Sequence, residues 1–208
     1  MMWVVKIGGS LLGSPELPHW LDTLVKISDG KVLIVPGGSV FADAVREAQG
    51  ISQVNDAVAH HLALLAMDQF GLLLAGMNAG LVTASSELEI AERGWQHRGI
   101  VWLPSHMVMA DETIAKNWQV TSDSLSVWIA NKINAEHLII VKSAQLSDYA
   151  ATVSVQTLKE AQLLDQAFPE FIAVTNFTSW VLDKTQYTVF AQGLDVRHLA
   201  AHAHQLIQ

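Results

Sequence analysis

The sequence contains no cysteine in 208 residues. That excludes disulfides, thiolate metal ligands and a cysteine nucleophile, and it suits a reducing compartment. Charge is also sparse: Asp, Glu, Lys and Arg make up 15% of the chain, with a net charge of -8. An acidic balance argues against a broad nucleic-acid surface. It leaves room for a small anionic ligand, because a few lysines and backbone dipoles dominate inside a cleft. Long apolar runs are missing: Leu62–Met67 and Leu72–Ala75 are interrupted by Asp68 and Gly71. Neither approaches the ~20 residues of a membrane span. No basic region precedes an apolar stretch at the N-terminus, so no secretory leader is expected and a cytoplasmic protein is. What the chain does have is hydrophobic residues, at 50%. That is enough to build a large core, and the length suits one domain over residues 1–208.

The order of elements reads as alternating strand and helix. Strands are expected at Val4–Ile7, Lys31–Val35, Ile100–Leu103 and His137–Val141, with a short one at Tyr187–Phe190. Helices are expected over Pro15–Ile27, Phe41–Ala48, Ser52–Phe70, Ser86–Arg93, Ser122–Asn134, Thr157–Asp165 and Leu194–Ile207. Asn78–Leu81 reads as a turn or a further helix. Ser52 is the expected N-cap of the long helix, and Gly50 the expected stop before it. Uniformly apolar strands separated by helices indicate an α/β fold: an open, mainly parallel sheet with helices on both faces, three layers αβα. Ligands bind such sheets at the C-terminal strand ends.

Four segments at those ends carry chemistry. The first strand runs into Lys6-Ile7-Gly8-Gly9-Ser10. Glycines allow a backbone to approach an anion and to adopt positive φ, successive N–H groups form an anion nest, and Lys6 and Ser10 add a charge and a hydroxyl. An ordinary tight turn is an equally simple reading of this segment alone. The second strand runs into Pro36-Gly37-Gly38-Ser39, ahead of a helix whose positive end would face an anion. Thr121-Ser122-Asp123-Ser124 opens another helix. It reads either as a good N-cap or as the place where Asp123 pairs with an active-site lysine. Lys142, at the end of the His137–Val141 strand, is a parallel to Lys6 and a candidate second phosphate ligand, or else a snorkelling surface lysine. His60 or His61 could hydrogen-bond a substrate; a solvated helix face is the plainer alternative. His198 and His202, four apart, read as a surface face rather than a metal site without a third ligand.

These residues, taken together, resemble the amino acid kinase superfamily, which includes acetylglutamate, aspartate, uridylate and isopentenyl phosphate kinases. The resemblance covers about residues 1–145 and is loose beyond them. The short length and the Val-Thr-Ser-Asp-Ser-Leu and Val-Lys-Ser segments are most similar to the small branch of [5-(aminomethyl)furan-3-yl]methyl phosphate kinases of methanofuran-type cofactor synthesis. The resemblance implies ATP and Mg²⁺ as co-substrate and cofactor, no dedicated metal cage, a homodimer or higher homo-oligomer, and a small acceptor that already carries a phosphate. It implies catalytic roles for Lys6 and Asp123, donor binding by Gly8, Gly9 and Ser10, and acceptor binding by Gly37, Gly38 and Ser39. The residue reading adds Lys142 as a catalytic candidate, Ser143 beside it on the donor side, and His60 and Ser122 on the acceptor side.

The chain also departs from the family. The Asp-Gly that many members carry after the nucleotide-contacting strand is replaced by Gln145-Leu146. The later Gly-Gly-Met segment, with its second phosphate lysine, is absent. Lys142 is the first substitute for that lysine, then Lys116 and Lys184. These departures keep open a non-catalytic nucleotide- or anion-binding protein. A kinase of another branch, acting on uridylate or an amino-acid carboxylate, is the third reading. Carboxylate acceptors usually call for an arginine clamp. None of Arg46, Arg93, Arg98 and Arg197 lies in these motifs, which favours the furan-type acceptor, whose amine could pair with an acidic side chain.

Overall fold

The structure is a computed structural model describing residues 2–208. Its centre is β1 (Trp3–Ile7), flanked by β2 (Val32–Pro36) and β5 (His137–Lys142), both parallel to it. The sheet has the order β3-β4-β2-β1-β5-β7-β8-β6, where β3 is Leu81–Ala84, β4 Gly99–Trp102, β6 Thr152–Ser154, β7 Thr178–Asp183 and β8 His204–Ile207. β7 and β8 are antiparallel and the other pairs parallel. The mainly parallel α/β sheet expected from the apolar strands is therefore present.

Alternation along β1 sorts its side chains between the two faces. Trp3, Val5 and Ile7 enter one core with Leu17, Trp20, Leu21 and Leu24 of α1 (Glu16–Ser28). Val4 enters the opposite core with Leu125, Val127 and Ile129 of α6 (Ser122–Lys132). Lys6 has the same parity as Val4, so it lies on the α6 face. In β5, Leu138 and Ile140 share that face and Lys142 continues it. The central strands are buried on both sides, which explains why they read as unbroken apolar runs.

The remaining helices are α2 (Ser39–Ser52), α3 (Asp56–Met77), α4 (Glu87–Gly94), α5 (Ser105–Met109), α7 (Val155–Glu160), α8 (Phe168–Ile172) and α9 (Val196–His202). α2 does not stop at Gly50 but runs to Ser52, ending on Gln53 with φ 57°. The N-cap of α3 is accordingly Asn55, whose side chain accepts from Val58 N at 3.0 Å, and not Ser52. α3 has 22 residues and a mean hydropathy of 1.4 in its most apolar window, long and apolar enough to cross a bilayer. One side of it packs on α2 and the sheet. The other leaves Val58, Leu62, Leu65, Leu72, Leu73 and Met77 exposed.

Three expectations fail in regular ways. Asn78–Leu81 is the lead-in to a strand, β3, which is a four-residue edge strand and too short to show a period. Tyr187–Phe190 forms a 3₁₀ turn rather than a strand. The expected terminal helix stops at His202, and the chain then turns back as β8. His198 and His202 lie on α9 with ring centroids 4.4 Å apart and planes tilted by 39°, and the His198 carbonyl is beside His202 Nδ1. Trp102 and Trp180 are core residues, whereas Trp95 is exposed.

Candidate active site

The C-terminal ends of β1, β2 and β5 lie side by side, at the point where the chain leaves β1 for opposite edges of the sheet. The two Gly-Gly-Ser turns meet there. A Cβ placed on Gly9 would strike the backbone of Ser39, and one on Gly37 would strike the backbone of Gly9. One on Gly38 would strike Ala42 Cβ. Gly9 and Gly37 are thus required by the close approach of one turn to the other, and Gly38 by the next turn of its own helix. The expected positive φ is not the reason, since φ is -59° at Gly8 and -81° at Gly38. The left-handed residue is Ser39, with φ 53°. A non-glycine residue held there marks strain that the surrounding packing must maintain.

Ser39 is the first residue of α2 rather than its N-cap, and no side chain among the described residues caps that helix. Ser39 Oγ is buried without a hydrogen-bond partner among the described residues. A 14-residue helix with an uncapped N-terminus beside an unpaired hydroxyl can receive an anion. On the other side, Ser10 Oγ donates to Ser143 Oγ at 2.8 Å and ties the β1 turn to the β5 turn.

Behind these turns lies a buried charge cluster. Lys6 Nζ is 2.8 Å from Asp123 Oδ1, with both side chains under 8% exposed at 6% and 7%. Lys142 Nζ donates to Asp123 Oδ2 at 2.6 Å. Lys6 meets Oδ1 as an ion pair off the hydrogen-bond direction, whereas Lys142 makes both. Two ammonium groups therefore share one carboxylate. Burial alone would push the Asp123 carboxyl up, but the charges of Lys142 and Lys6 outweigh it and hold it at about 2. For Lys142, burial brings the ammonium down to about 8 against the upward pull of Asp123, and the Lys6 charge adds to the lowering. In direct contact two ammonium groups meet one carboxylate, with the Asp165 charge also acting on Lys142 from further off, in a place where water does little to screen them. A phosphoryl group or another anion is the partner such a site lacks.

The start of the helix that carries Asp123 is held by a residue that sequence reading overlooked. The N-cap of α6 is Thr121, not Ser122, and its own side chain caps nothing. Asp165, from the loop between α7 and α8, caps the helix from 44 residues away. Its carboxylate accepts from Thr121 N and Thr121 Oγ1 at 2.9 Å, from Ser124 N at 3.0 Å, and from Ser124 Oγ. Burial raises the Asp165 pKa, as does the Asp123 charge, while the Ser124 and Thr121 hydrogen bonds pull it back. Sequence reading ended a helix at Asp165; the helix ends at Glu160, and the freed loop is what reaches α6.

Next to the cluster, reaching it only through Ser122, the neighbour of Asp123, lies a cavity of about 480 Å³ whose wall does not include Lys6, Asp123, Lys142, Gly37 or Ser143. Gly9, Ser10, Gly38, Ser39, Ser122 and His60 all line it, so the structure brings these candidates together. His60, Ala63, Leu64 and Met67 reach it from one face of α3, at helical spacing. His60 is 4% exposed, while its neighbour His61 is exposed, which separates the two candidates. Arg46 also lines the cavity, although no motif marked it. Its guanidinium stacks 4.5 Å over Trp118 and pairs with Asp43 at 2.8 Å. Trp118 is fixed in turn by a 2.7 Å hydrogen bond to Gln49 Oε1. Arg46 thus lies in none of the motifs, as read from the sequence, yet the fold brings it into the same cavity. Lys184 pairs with Glu16 at 3.4 Å and Lys116 is exposed, so neither belongs to the charge cluster.

The comparisons with known proteins can be set beside this geometry. Residues 1–145 match the amino acid kinase family. A stretch of 141 residues is 32% identical to the [5-(aminomethyl)furan-3-yl]methyl phosphate kinase of Methanocaldococcus jannaschii, and covers 67% of this chain and 64% of that relative. The chain therefore matches just under two thirds of that relative's length. The crystal structure of uridylate kinase from Archaeoglobus fulgidus superposes with a TM-score of 0.70 at 15% identity, covering 100% of both chains. That of UMP kinase from Ureaplasma parvum gives 0.71 at 12% identity, over 100% of this chain and 99% of that one. At such identities the likeness is one of fold.

Proposed function

The chain belongs to the amino acid kinase family, and on that premise we propose that it is an ATP- and Mg²⁺-dependent small-molecule kinase. We assign it a small acceptor that already carries a phosphate, with [5-(aminomethyl)furan-3-yl]methyl phosphate as the specific candidate. The observation that carries the reading is the buried pair of lysines on one carboxylate, set behind the two Gly-Gly-Ser turns whose Gly9, Ser10, Gly38 and Ser39 line the neighbouring cavity. Phosphoryl transfer asks a protein mainly for positioning and for positive charge where negative charge gathers.

In this reading Lys6 and Lys142 bracket the transferring phosphoryl group, and Asp123 keeps both ammonium groups aimed. The Gly9–Ser10 turn and Ser143 hold the donor side. Gly37, Gly38, Ser39, Ser122 and His60 hold the acceptor. Mg²⁺ would enter with the donor phosphates at the Gly9–Ser10 turn and Ser143, would supply neutralising charge there, and would need few protein ligands. The residues fit that division, because Asp123 and Asp165 are both occupied by protein partners. Lys142 supports catalysis over the binding-only alternative, since it supplies the second lysine that the missing Gly-Gly-Met segment would have brought. The reading uses residues 1–208 as one unit, with Asp165 of the C-terminal third supporting Asp123. In the expected homo-oligomer, a second copy covers the exposed apolar stripe of α3.

A second acceptor class has one observation in its favour. Arg46 in the cavity could clamp a carboxylate. Its charge is already shared with Asp43 and Trp118, which favours the phosphate acceptor. An acceptor panel separates the two: the aminomethylfuran phosphate, uridylate, aspartate and acetylglutamate, each with ATP and Mg²⁺. Turnover of the furan phosphate at least tenfold above the others in kcat/KM is expected. Preference for a carboxylate acceptor would replace this assignment with the second class.

The lysine cluster also sets a pH dependence. kcat/KM reports the free enzyme. It is expected to fall above about pH 8, where Lys142 loses its proton. Stability should move the other way. Between about 8 and the ordinary lysine value of 10.5, the unfolded chain keeps a proton that the folded one has released, so folding becomes more favourable as pH rises. A rate profile flat to pH 10, or one that Lys142→Met leaves unchanged, would contradict the role given to Lys142.

A further inference from the structure

His60 lines the cavity and keeps a buried acceptor atom with nothing to accept from. Its Nδ1 lies 3.2 Å from the carbonyl oxygen of Asn117. A carbonyl can only accept, so Nδ1 carries the ring proton and Nε2 is left with a lone pair. Nε2 is buried and has no hydrogen-bond partner among the described residues. Burial also keeps the imidazole neutral by lowering its pKa, with Lys116 and His61 acting in the same direction. An unmatched acceptor in a buried wall is costly unless a ligand supplies a donor.

The position of His60 says where on the ligand that donor sits. The anion-receiving end of the cavity is at Ser39, the first residue of α2. Arg46, further along the same helix, marks the other end, about 10 Å away by helical rise. α3 returns against α2 after a three-residue connection, which sets His60, near its start, beside the far end of α2 and away from Ser39. A molecule with its phosphate at Ser39 would bring its opposite end to His60. One five-membered ring with an arm on each side has that scale.

We infer that His60 Nε2 is a specificity contact that accepts a hydrogen bond from an amine or hydroxyl donor at the acceptor's end opposite its phosphate. This rests on the cavity being the acceptor site. The site would then reject a phosphate ester ending in a methyl, carbonyl or carboxylate group, because Nε2 would be left unpaired or would face a second acceptor. An ammonium group satisfies the contact best, since hydrogen bonds to charged groups are the stronger ones. Asp43 lines the same cavity, with its carboxylate already paired to Arg46, so the donor contact falls to His60.

The test compares the 5-aminomethyl, 5-hydroxymethyl and 5-methyl forms of the furan-3-ylmethyl phosphate, with ATP and Mg²⁺, in wild type and His60→Phe. Wild type is expected to prefer the aminomethyl over the methyl form by about tenfold to a hundredfold in kcat/KM, mostly through KM, with the hydroxymethyl form between them. His60→Phe should bring that ratio to within about threefold. Should the larger ring unfold the α2–α3 pair, His60→Leu serves in its place. His60→Gln, whose amide can donate to Asn117 and still offer an oxygen, should keep part of the preference; a merely structural histidine would not be rescued in that way. A wild-type enzyme that turns over amine and methyl forms alike overturns the inference, as does a preference that survives in the apolar variants. If none of the three forms is phosphorylated at all, the acceptor reading itself fails and takes this contact with it.

Discussion

Lys6→Ala is expected to lower kcat by about three orders of magnitude or more while leaving the fold intact. The size follows from what the ammonium does in the proposed reaction. It is a charge fixed in a buried site before the phosphoryl group arrives, and removing one such preorganised group commonly costs 10²–10³ in rate, with charged contacts to a transferring phosphoryl group at or above the top of that range. The intact fold follows from charge balance. Lys6 and Lys142 share Asp123, so losing Lys6 leaves a matched pair at 2.6 Å rather than an orphan. Circular dichroism and thermal unfolding should therefore show a protein at least as stable as wild type, with its activity gone. A variant that keeps a tenth or more of wild-type kcat would remove Lys6 from the chemistry.

Asp123→Ala should behave in the opposite sense for stability. It takes the one carboxylate from between two buried ammonium groups and leaves them facing each other. Breaking a buried pair by removing one partner costs about 3–5 kcal/mol, because an uncompensated charge stays behind. For a chain of this size that corresponds to a fall in Tm of roughly 6–20 °C. Part of the loss should be relieved above the lowered pKa of Lys142, where that lysine sheds its proton. Phosphate should relieve part of it too, by sitting where the carboxylate was. A drop in Tm of less than about 2 °C, insensitive to pH and to phosphate, would mean that the cluster is more hydrated than its burial indicates. The two variants form a contrast at one site: removing a cation abolishes function and spares the fold, and removing the anion damages both.

Much of this site was legible in the sequence, for a physical reason. Parallel strands buried on both faces must be apolar throughout, so a polar residue at the end of such a run stands out. Lys6 and Lys142 are marked in that way, and the Gly-Gly-Ser turns follow two of the same strands. The pairing of Asp123 with a lysine was open to sequence reading, and the structure gives it both lysines. The reason given for the glycines was only half right. Gly9 and Gly37 are required because the two turns touch, a relation between residues about 30 apart that no local pattern records.

What the sequence concealed lies at the sheet edges and in long-range contacts. β3, β6 and β8 have three or four residues each, too few for alternation to be distinguished from a loop. β7 begins with Thr178 and Ser179, and its apolar part is three residues long. Asp165 carries no motif. Its role exists because the chain after α7 returns to the start of α6. Arg46 and Trp118 come together from α2 and from the loop before α6, and only the fold makes them a pair.

The central claim is that the buried two-lysine cluster transfers a phosphoryl group to an acceptor in the adjoining cavity. The measurement that tests it most directly is ³¹P NMR of wild type and Lys6→Ala with ATP, Mg²⁺ and [5-(aminomethyl)furan-3-yl]methyl phosphate. The account predicts a new diphosphate doublet pair growing with ADP in wild type, and neither product in the variant. ATP that binds but yields no phosphorylated product with this acceptor, or with any member of the panel, would contradict it.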